Sequence, residues 1–313
     1  MATIAGGIFD TGTVTADEGA QISQFLDSLG ITETEITTVT ASVGGTTTIS
    51  DTTPTTTVSL SVGQTTTIAL SGTTAKTVIV AGSGNASVVG GGGSDNILGG
   101  GGSDSLTGGV GDDVVNGGLG NDVVFGGLGN DTIEGGAGDD TIGSDEGDDL
   151  FYGGIGNDEI AGGAANDVAF GQRDNDIIYG NQADDIAYGN QQNDVLYGGQ
   201  GADTLYGGQN EDTLFGNKGN DVLFGNQGDD VFVFETDGGS DVVFDFTAGA
   251  DVIQVQSNIN GLSVTQPGDL LTRISSDSSG NAVIDLGGGN QVTVVGITAT
   301  DIQANIGLYI QVI

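Results

Sequence analysis

The chain of 313 residues contains no cysteine, no histidine and no tryptophan, and only 2 prolines. Histidine is the side chain that most often transfers protons near neutral pH, and thiol and metalloprotease chemistry require cysteine or histidine. The serine-hydrolase elbow GxSxG, the zinc motif HExxH and the phosphate loop GxxxxGK[ST] are also absent from the sequence. We therefore expect no enzymatic activity.

Positive charge is almost as scarce. The cations are Lys76, Arg173, Lys218 and Arg273, against 43 acidic residues, which gives a net charge of −39. Such a surface repels nucleic acid and anionic lipid and attracts multivalent cations. The sequence has no apolar stretch of the roughly 20 residues that a transmembrane helix needs. Residues 1–21 lack the basic and apolar regions of a Sec signal peptide, so we expect export by another route.

Aspartate, by contrast, recurs every nine residues through the middle of the chain without a change of register. Two residues after each aspartate stands an apolar residue, from Ile97 to Phe232. Because successive side chains of a strand point to opposite faces, each short strand predicted here has one apolar face. The aspartates are Asp95, Asp104, Asp113, Asp122, Asp131, Asp140, Asp149, Asp158, Asp167, Asp176, Asp185, Asp194, Asp203, Asp212, Asp221 and Asp230.

Glycine-rich turns precede the aspartates, as in GGLGND (117–122) and GGAGDD (135–140). The sequence resembles the repeats-in-toxin (RTX) family, whose GGxGxDxUx nonapeptide builds a calcium-binding parallel β-roll. The resemblance implies an all-β fold: a right-handed parallel β-roll (RTX solenoid) with a small N-terminal helix-plus-β segment and a C-terminal β cap. We expect the N-terminal region at 1–80, the roll at 81–234 and the cap at 235–313.

Two nonapeptides, 18 residues, would form one turn of the solenoid, so the aspartates fall into two stacks. Neighbouring carboxylates in a stack are then about 4.8 Å apart, and if ionised they repel by roughly 1 kcal/mol per pair even in water. Calcium between successive turns would bridge them, with a carboxylate from each turn and backbone carbonyls as ligands. Up to about 14 ions fit between the turns and would reduce the net charge to about −11.

The turns differ in how completely they match the repeat. Asn217 and Asn226 replace the second glycine of two turns, a mild change because asparagine tolerates left-handed backbone. Five turns lose the fourth-position glycine, and we expect calcium to bind well in about 90–160 and poorly in about 162–212; these replacements are Ala165, Asp174, Ala183, Gln192 and Asn210. The predicted metal ligands are Asp95, Asp104, Asp113, Asp122, Asp131, Asp140, Asp149, Asp158, Asp203, Asp221 and Asp230.

Aromatic residues occupy the third position after many aspartates, which places them on the outer face of the predicted sheets. Three interpretations remain open: stacked rings that stabilise the solenoid, an adhesive face for another subunit or the N-terminal segment, and a platform for glycan stacking. The residues are Phe125, Tyr152, Phe170, Tyr179, Tyr188, Tyr197, Tyr206, Phe215 and Phe224.

The flanking regions carry weaker signals. A capping-box pair, Thr15 and Glu18, predicts a short amphipathic helix over 15–29. Threonine-rich alternation at 55–62, 65–71 and 76–82 favours strands, with a solvated linker as the alternative. Residues 81–89 keep the repeat frame but have Ala86 in place of aspartate, which predicts a first coil without calcium. After Asp230 the segments VIDLGG and QVTVVG predict capping strands, and the resemblance implies a C-terminal signal for type I secretion.

The roll dominates the chain, and neither a pore region nor a catalytic motif accompanies it. Carboxylate pairs such as Asp139-Asp140 could serve an enzyme, but calcium binding accounts for them. We therefore expect a secreted calcium-binding structural protein that folds on binding calcium and self-assembles with its own copies at the bacterial cell surface, as a surface layer or a filament. The alternative is a calcium-dependent adhesin or glycan-binding module with a cell-surface glycan as its partner.

Overall fold

The computed structural model describes residues 83–313 continuously and, before them, 37–39, 46–49, 55–59, 65–70, 72, 75 and 77–81. The helix predicted over 15–29 lies outside the described residues. The chain divides into two compact units, Met1–Glu159 and Ile160–Ile313. No helix in the described part of the chain is both long and apolar enough to cross a membrane.

The first unit is a parallel β-solenoid in which odd-numbered and even-numbered strands form two separate sheets. Its strands are β1 (Thr37–Val39), β2 (Thr46–Ile49), β3 (Thr55–Ser59), β4 (Thr65–Leu70), β5 (Thr77–Ala81), β6 (Asn85–Val89), β7 (Asn96–Gly101), β8 (Ser105–Val110), β9 (Val114–Leu119), β10 (Val123–Leu128), β11 (Thr132–Ala137), β12 (Thr141–Gly143) and β13 (Leu150–Ile155).

Strand pairing in this unit follows the two-repeat period of the sequence. Val115 of β9 lies opposite Ile133 of β11, an offset of 18 residues. The threonine-rich strands pair in parallel as well, and Thr57 of β3 lies opposite Ile79 of β5. The solenoid therefore begins before residue 81, with longer connections between its first strands than the nonapeptide allows.

The second unit continues the same pattern of alternating parallel strands and adds a cap. Its strands are β14 (Glu159–Ala164), β15 (Val168–Arg173), β16 (Ile177–Gln182), β17 (Ile186–Gln191), β18 (Val195–Gln200), β19 (Thr204–Gln209), β20 (Thr213–Lys218), β21 (Val222–Gln227), β22 (Val231–Phe234), β23 (Ser240–Val243), β24 (Val252–Val255), β25 (Ile274–Ser276), β26 (Ala282–Gly287), β27 (Asn290–Val294) and β28 (Ile310–Val312).

The core of both units is a narrow double column of aliphatic side chains. The apolar residue two positions after each repeat aspartate is buried in every turn, from Ile97 to Phe232. Full burial of one such Leu or Ile side chain contributes about 1.5–3 kcal/mol. These residues also separate the two sheets, so the predicted one-sided strands and the all-β fold are confirmed.

A mixed structure closes the second unit. Strand β27 pairs in parallel with β23 but antiparallel with β26, and β26 pairs antiparallel with β25. Helices α1 (Ala299–Ala304) and α2 (Ile306–Tyr309) and the 3-10 helices Ile259–Gly261 and Pro267–Arg273 lie in the same segment. The Phe246 ring contacts Tyr309 edge-on at 5.9 Å, which ties α2 to the core. The capping strands expected from VIDLGG and QVTVVG are β26 and β27.

Candidate metal centre

The repeat aspartates of the first unit form two buried ladders inside the turns. In one ladder the main-chain N–H of each aspartate donates to Oδ1 of the aspartate 18 residues on: Asp95 to Asp113 at 2.6 Å, Asp113 to Asp131 at 2.7 Å, and Asp131 to Asp149 at 2.7 Å. The other ladder runs through Asp104, Asp122, Asp140 and Asp158, with distances of 2.7–2.8 Å. All eight predicted ligands of this unit lie in these ladders.

Ala86 ends the second ladder. Its main-chain N–H donates to Oδ1 of Asp104 at 2.6 Å, as an aspartate in its place would do. Ala86 is buried but brings no carboxyl group to the turn. The first coil therefore has the backbone of the repeat without its acidic side chain.

The second unit has two ladders of the same kind. Asp167 donates to Asp185, Asp185 to Asp203 and Asp203 to Asp221, and the other ladder joins Asp176, Asp194, Asp212 and Asp230, all at 2.8–2.9 Å. The predicted ligands Asp203, Asp221 and Asp230 lie here. The turns for which weak binding is expected place their aspartates in the same way, so side-chain position does not distinguish the two groups.

Two further aspartates extend these ladders. The N–H of Asp221 donates to Asp241 and that of Asp230 to Asp251, each at 3.0 Å. Both lie beyond the region where the nine-residue spacing holds, at 20 and 21 residues from their donors. The signal that identifies them is local: an aspartate preceded by a small residue and followed two positions later by Val243 or Ile253.

The second carboxyl oxygen of these aspartates is buried and has no hydrogen-bond partner at many positions. A buried polar oxygen without a partner costs about 1–3 kcal/mol, and more when it is charged. A cation in contact with these oxygens would remove that penalty. The oxygens are Oδ2 of Asp104, Asp113, Asp122, Asp140, Asp185, Asp194, Asp203, Asp212 and Asp221.

Main-chain carbonyls converge on the same places. A Cβ added at Gly117 would lie 2.5 Å from Asp122 Oδ2 and 2.5 Å from the carbonyl oxygen of Gly135. Only glycine therefore lets the carboxyl oxygen of one turn and the carbonyl of the next approach the same point. The oxygen set of carboxylates and carbonyls suits calcium, which takes 6–8 oxygen ligands.

The carboxyl groups alone do not complete a metal site. Among the described residues, no three acidic side chains converge on one point. A calcium ion between successive turns would therefore take its carboxylates from the ladder and its remaining ligands from turn carbonyls. The residues present fit the ion: Asp113, Asp122 and their equivalents would hold it, and it would supply the positive charge that the buried oxygens lack.

Burial shifts the titration of these groups strongly. Burial raises the pKa of Asp122 to about 8, and the neighbouring Asp104 and Asp140 raise it further, against a lowering by the hydrogen bond from the Asp104 N–H. Burial likewise raises the pKa of Asp194 to about 8. Without a cation these carboxyls would therefore be protonated to a large extent at neutral pH, so calcium and protons compete for the same oxygens.

A further hydrogen-bond ladder lies on the outside of the turns. In it each N–H donates to a residue earlier in the sequence, whereas in the aspartate ladders it donates to a later one. The N–H of Asn130 donates to Oδ1 of Asp112 at 3.0 Å, and the N–H of Asp148 donates to Oδ1 of Asn130 at 3.1 Å. In the second unit the N–H of Ala202 donates to Asp184 at 2.7 Å. The Asp or Asn immediately before the buried aspartate thus joins neighbouring turns and remains exposed.

The backbone at the fourth turn position separates complete turns from substituted ones. Gly120 and Gly138 have φ of 119° and 135°, which side chains rarely adopt. Ala183 and Gln192 at the same position have φ of 76° and 74°, in the left-handed helical region. Complete and substituted turns therefore differ in backbone conformation at this position.

A parallel β-solenoid with glycine-rich turns, buried carboxyl ladders and converging carbonyls defines a calcium-binding β-roll. The sequence model of the RTX calcium-binding nonapeptide repeat matches residues 71–106, 80–115, 89–124, 116–151, 152–186, 179–214 and 206–243. These segments together span 71–243, more than half of the chain. The protein belongs to the RTX calcium-binding nonapeptide repeat family.

Among solved structures, the extracellular lipase LipA from Serratia marcescens aligns with 63% of this chain at 19% identity and a TM-score of 0.33. The alignment covers 40% of the lipase, so most of that protein has no counterpart in it. This similarity supports no conclusion about activity. No curated protein sequence matches the chain.

Proposed function

We propose that the protein is a secreted, non-enzymatic structural protein that folds on binding calcium and assembles with its own copies at the cell surface, as a layer or a filament. RTX repeat proteins are typically secreted, which supports the location. The observation that carries the assembly is the pair of outer faces of the second unit, where aromatic side chains form continuous ladders.

The rings of each ladder stack face to face. On one sheet the centroid distances are 4.8 Å for Phe170–Tyr188, 4.7 Å for Tyr188–Tyr206 and 4.7 Å for Tyr206–Phe224, and Phe224 continues to Phe244 at 5.0 Å. On the other sheet Tyr197 stacks on Tyr179 at 4.9 Å and on Phe215 at 4.5 Å. The predicted aromatic ladders are therefore confirmed for this unit, and Phe244 extends one of them.

This stacking covers the ring faces and leaves the ring edges on the surface. A sugar that binds by stacking requires a free ring face, whereas a flat sheet of another molecule can pack against the edges. The column beside each ladder is uncharged and mostly β-branched, with Val168, Ile186, Thr204 and Val222 on one face. In a chain with 43 acidic residues, these uncharged columns of rings and β-branched side chains favour contact between copies over glycan stacking on the rings.

Calcium binding would allow contact between copies only after the chain has left the cell. In a cytosol with little free calcium, the acidic, glycine-rich chain lacks the cations that its buried carboxyls need. Millimolar calcium outside the cell matches the affinity of extracellular calcium modules, so binding, folding and the creation of flat faces become one event. Neutralisation of the turns also reduces the repulsion between copies.

The test is light scattering and circular dichroism on one sample during calcium titration of protein purified in chelator. We expect β-structure and particle size to rise together and to reverse with chelator. The double variant Thr204→Lys/Thr213→Lys places a charge on each face without removing a ring, and it should fold but remain monomeric. The control Thr132→Lys/Thr141→Lys places the same two charges at the equivalent positions of the first unit and should assemble.

A wild-type protein that folds with calcium and stays monomeric at all concentrations would reject the assembly proposal. The adhesin alternative then becomes the leading one, and binding to a glycan array would support it. If the control and the double variant lose assembly equally, the contact does not lie on the faces of the second unit.

A further inference from the structure

The column next to each aromatic ladder carries amide side chains with one gap on each face. On one sheet Asn181 lies opposite Gly199, and Gly199 lies opposite Asn217. On the other sheet Gly208 lies between Asn190 and Asn226 in the same way. Each glycine therefore leaves an opening one side chain wide between two asparagines.

Each opening is a cavity on the surface. The Gly199 notch has a volume of about 340 Å³ and is lined by Gly199, Tyr179, Tyr197, Asn181, Asn217, Gln200, Lys218, Glu235 and Thr236. The Gly208 notch has a volume of about 330 Å³ and is lined by Tyr188, Tyr206, Asn190, Asn226, Gln209 and Gln227. Two tyrosines, two asparagines and a glutamine thus recur in the same arrangement on both faces.

The polar groups of the notches can both donate and accept hydrogen bonds. Nδ2 of Asn190 donates to the carbonyl oxygen of Tyr188 at 3.2 Å, and Nδ2 of Asn181 donates to that of Tyr179 at 3.4 Å. These bonds use Nδ2 of each amide, and Oδ1 is a hydrogen-bond acceptor. The glutamine amides and tyrosine hydroxyls add groups of both kinds.

We infer that the Gly199 and Gly208 notches bind pyranose rings of a saccharide. A pyranose presents hydroxyl groups that donate and accept in the plane of the ring and C–H groups that pack on apolar walls. The notches offer uncharged amides and tyrosine edges at that scale, and the Gly208 notch contains no ionisable group other than tyrosine. The inference does not depend on assembly, and it differs from ring-face stacking because the ring faces are covered.

The test is saturation-transfer-difference NMR on the full chain in millimolar calcium, with glucose, galactose, mannose and N-acetylglucosamine as separate probes. The method observes the ligand. The Thr204→Lys/Thr213→Lys variant, which is expected to stay monomeric, is measured beside the wild type because contact between copies would cover the notches. At least one sugar should bind with a dissociation constant of about 1–10 mM, a range set by the small number of ligand atoms. Gly199→Asn/Gly208→Asn fills both gaps and should weaken binding by at least tenfold.

Asparagine already occupies the equivalent position in the neighbouring strands, where Asn181 and Asn217 have φ of 82° and 67°. The matched control Gly154→Asn/Gly163→Asn makes the same change outside the notches and should bind as the wild type does. If the filled variant fails to fold, Gln200→Ala/Gln209→Ala should fold and weaken binding about threefold or more. Absence of saturation transfer from all four sugars overturns the inference, as does wild-type affinity in a folded notch variant.

Discussion

The turns of residues 90–159 and those of 160–230 have aspartate ladders of the same kind and differ in almost everything around them. The first region keeps glycine at the fourth turn position, as at Gly120, and its outer faces carry few aromatic rings. The second region replaces many of these glycines, as at Ala183, and carries aromatic ladders and amides on its outer faces. Ladder geometry therefore does not by itself determine which turns bind calcium well.

We interpret the difference as two ways of stabilising the same type of solenoid. In this interpretation, complete turns have a backbone conformation that requires glycine, and their stability depends on the cation. Substituted turns obtain part of their stability from ring stacking. A stacked aromatic pair contributes about 0.5–1.5 kcal/mol beyond the area it buries, and it needs no calcium. The prediction that calcium binds more weakly in 162–212 rests on the replaced glycines, as at Ala183, and stays a prediction.

The largest effect is expected when calcium is removed, because both regions contain buried carboxyl groups. In chelator, a carboxyl whose pKa is raised by folding stabilises the fold fully below its unfolded pKa, about 3.9, and this stability is lost as the pH rises through the folded value. Burial raises the pKa of Asp122 and Asp185 to about 8 and that of Asp104 to about 7. For Asp122 the loss is on the order of 5 kcal/mol.

Calcium-free protein should therefore be folded near about pH 4 and lose its β-structure between about pH 5 and 8, as followed by circular dichroism. Saturating calcium should suppress the transition because the bound ion stabilises the ionised carboxylates. Calcium-free protein that keeps its β-structure above about pH 8 would show that the buried carboxyls do not control folding.

A buried carboxylate should matter more in the first region than in the second. Asp140→Asn keeps an oxygen that can accept the Asp122 N–H at 2.7 Å but removes the charge. We expect it to raise the calcium concentration at half-folding about tenfold, and Asp185→Asn to raise it about threefold. The controls Asp139→Asn and Asp184→Asn change the exposed neighbours and should leave the midpoint within about twofold; equal effects of all four variants would contradict a buried site.

Exchange of the fourth-position residue should reverse the difference between regions. Gly138→Ala would bring a Cβ against the carbonyl oxygen of Gly120 and force the φ of 135° towards the left-handed helical region. The calcium midpoint should rise by about fivefold, and Ala183→Gly should lower it by about twofold. The measurement is calcium titration by circular dichroism, and unchanged midpoints in both variants would mean that turn carbonyls do not control affinity.

The smallest expected effect concerns the outer faces. Tyr188→Ala removes two ring stacks, at 4.8 Å and 4.7 Å, and should lower the free energy of unfolding in saturating calcium by about 1–3 kcal/mol. Phe125→Ala is the control, because Phe125 lies between Thr107 and Gly143 rather than between rings. It should change stability by about 0.5 kcal/mol or less. A similar loss of unfolding free energy in both variants, measured by denaturant unfolding, would show that ring stacking does not stabilise the second region.

The nonapeptide spacing predicted most of the site, because an unbroken register fixes which residues face inward. It predicted the two stacks of aspartates, the buried aliphatic column and the outward aromatic residues. It did not predict Asp241 and Asp251, since insertions in the connections break the spacing while the backbone returns to the same ladder. The covered ring faces and the two notches depend on contacts between turns that no single repeat contains.

The threonine-rich strands before the repeats were also predicted only in part. Alternation predicted strands near 55–62, 65–71 and 76–82, and β3, β4 and β5 lie within these ranges. Their parallel pairing with the repeats was not predictable, because pairing offsets such as that of Thr57 and Ile79 exceed 18 residues. The lengths of the connections, rather than the sequences of the strands, made this parallel pairing unpredictable.

The most direct test of the central claim is hydrogen-exchange mass spectrometry at neutral pH while free calcium is raised from chelator to millimolar levels. The main-chain N–H groups of the aspartate ladders, such as those of Asp122 and Asp194, report on each region separately. We predict little protection of 90–159 in chelator and cooperative protection as calcium binds, with 160–230 requiring more calcium because its substituted turns bind the ion more weakly. Full protection of both regions in chelator would contradict a calcium-dependent fold.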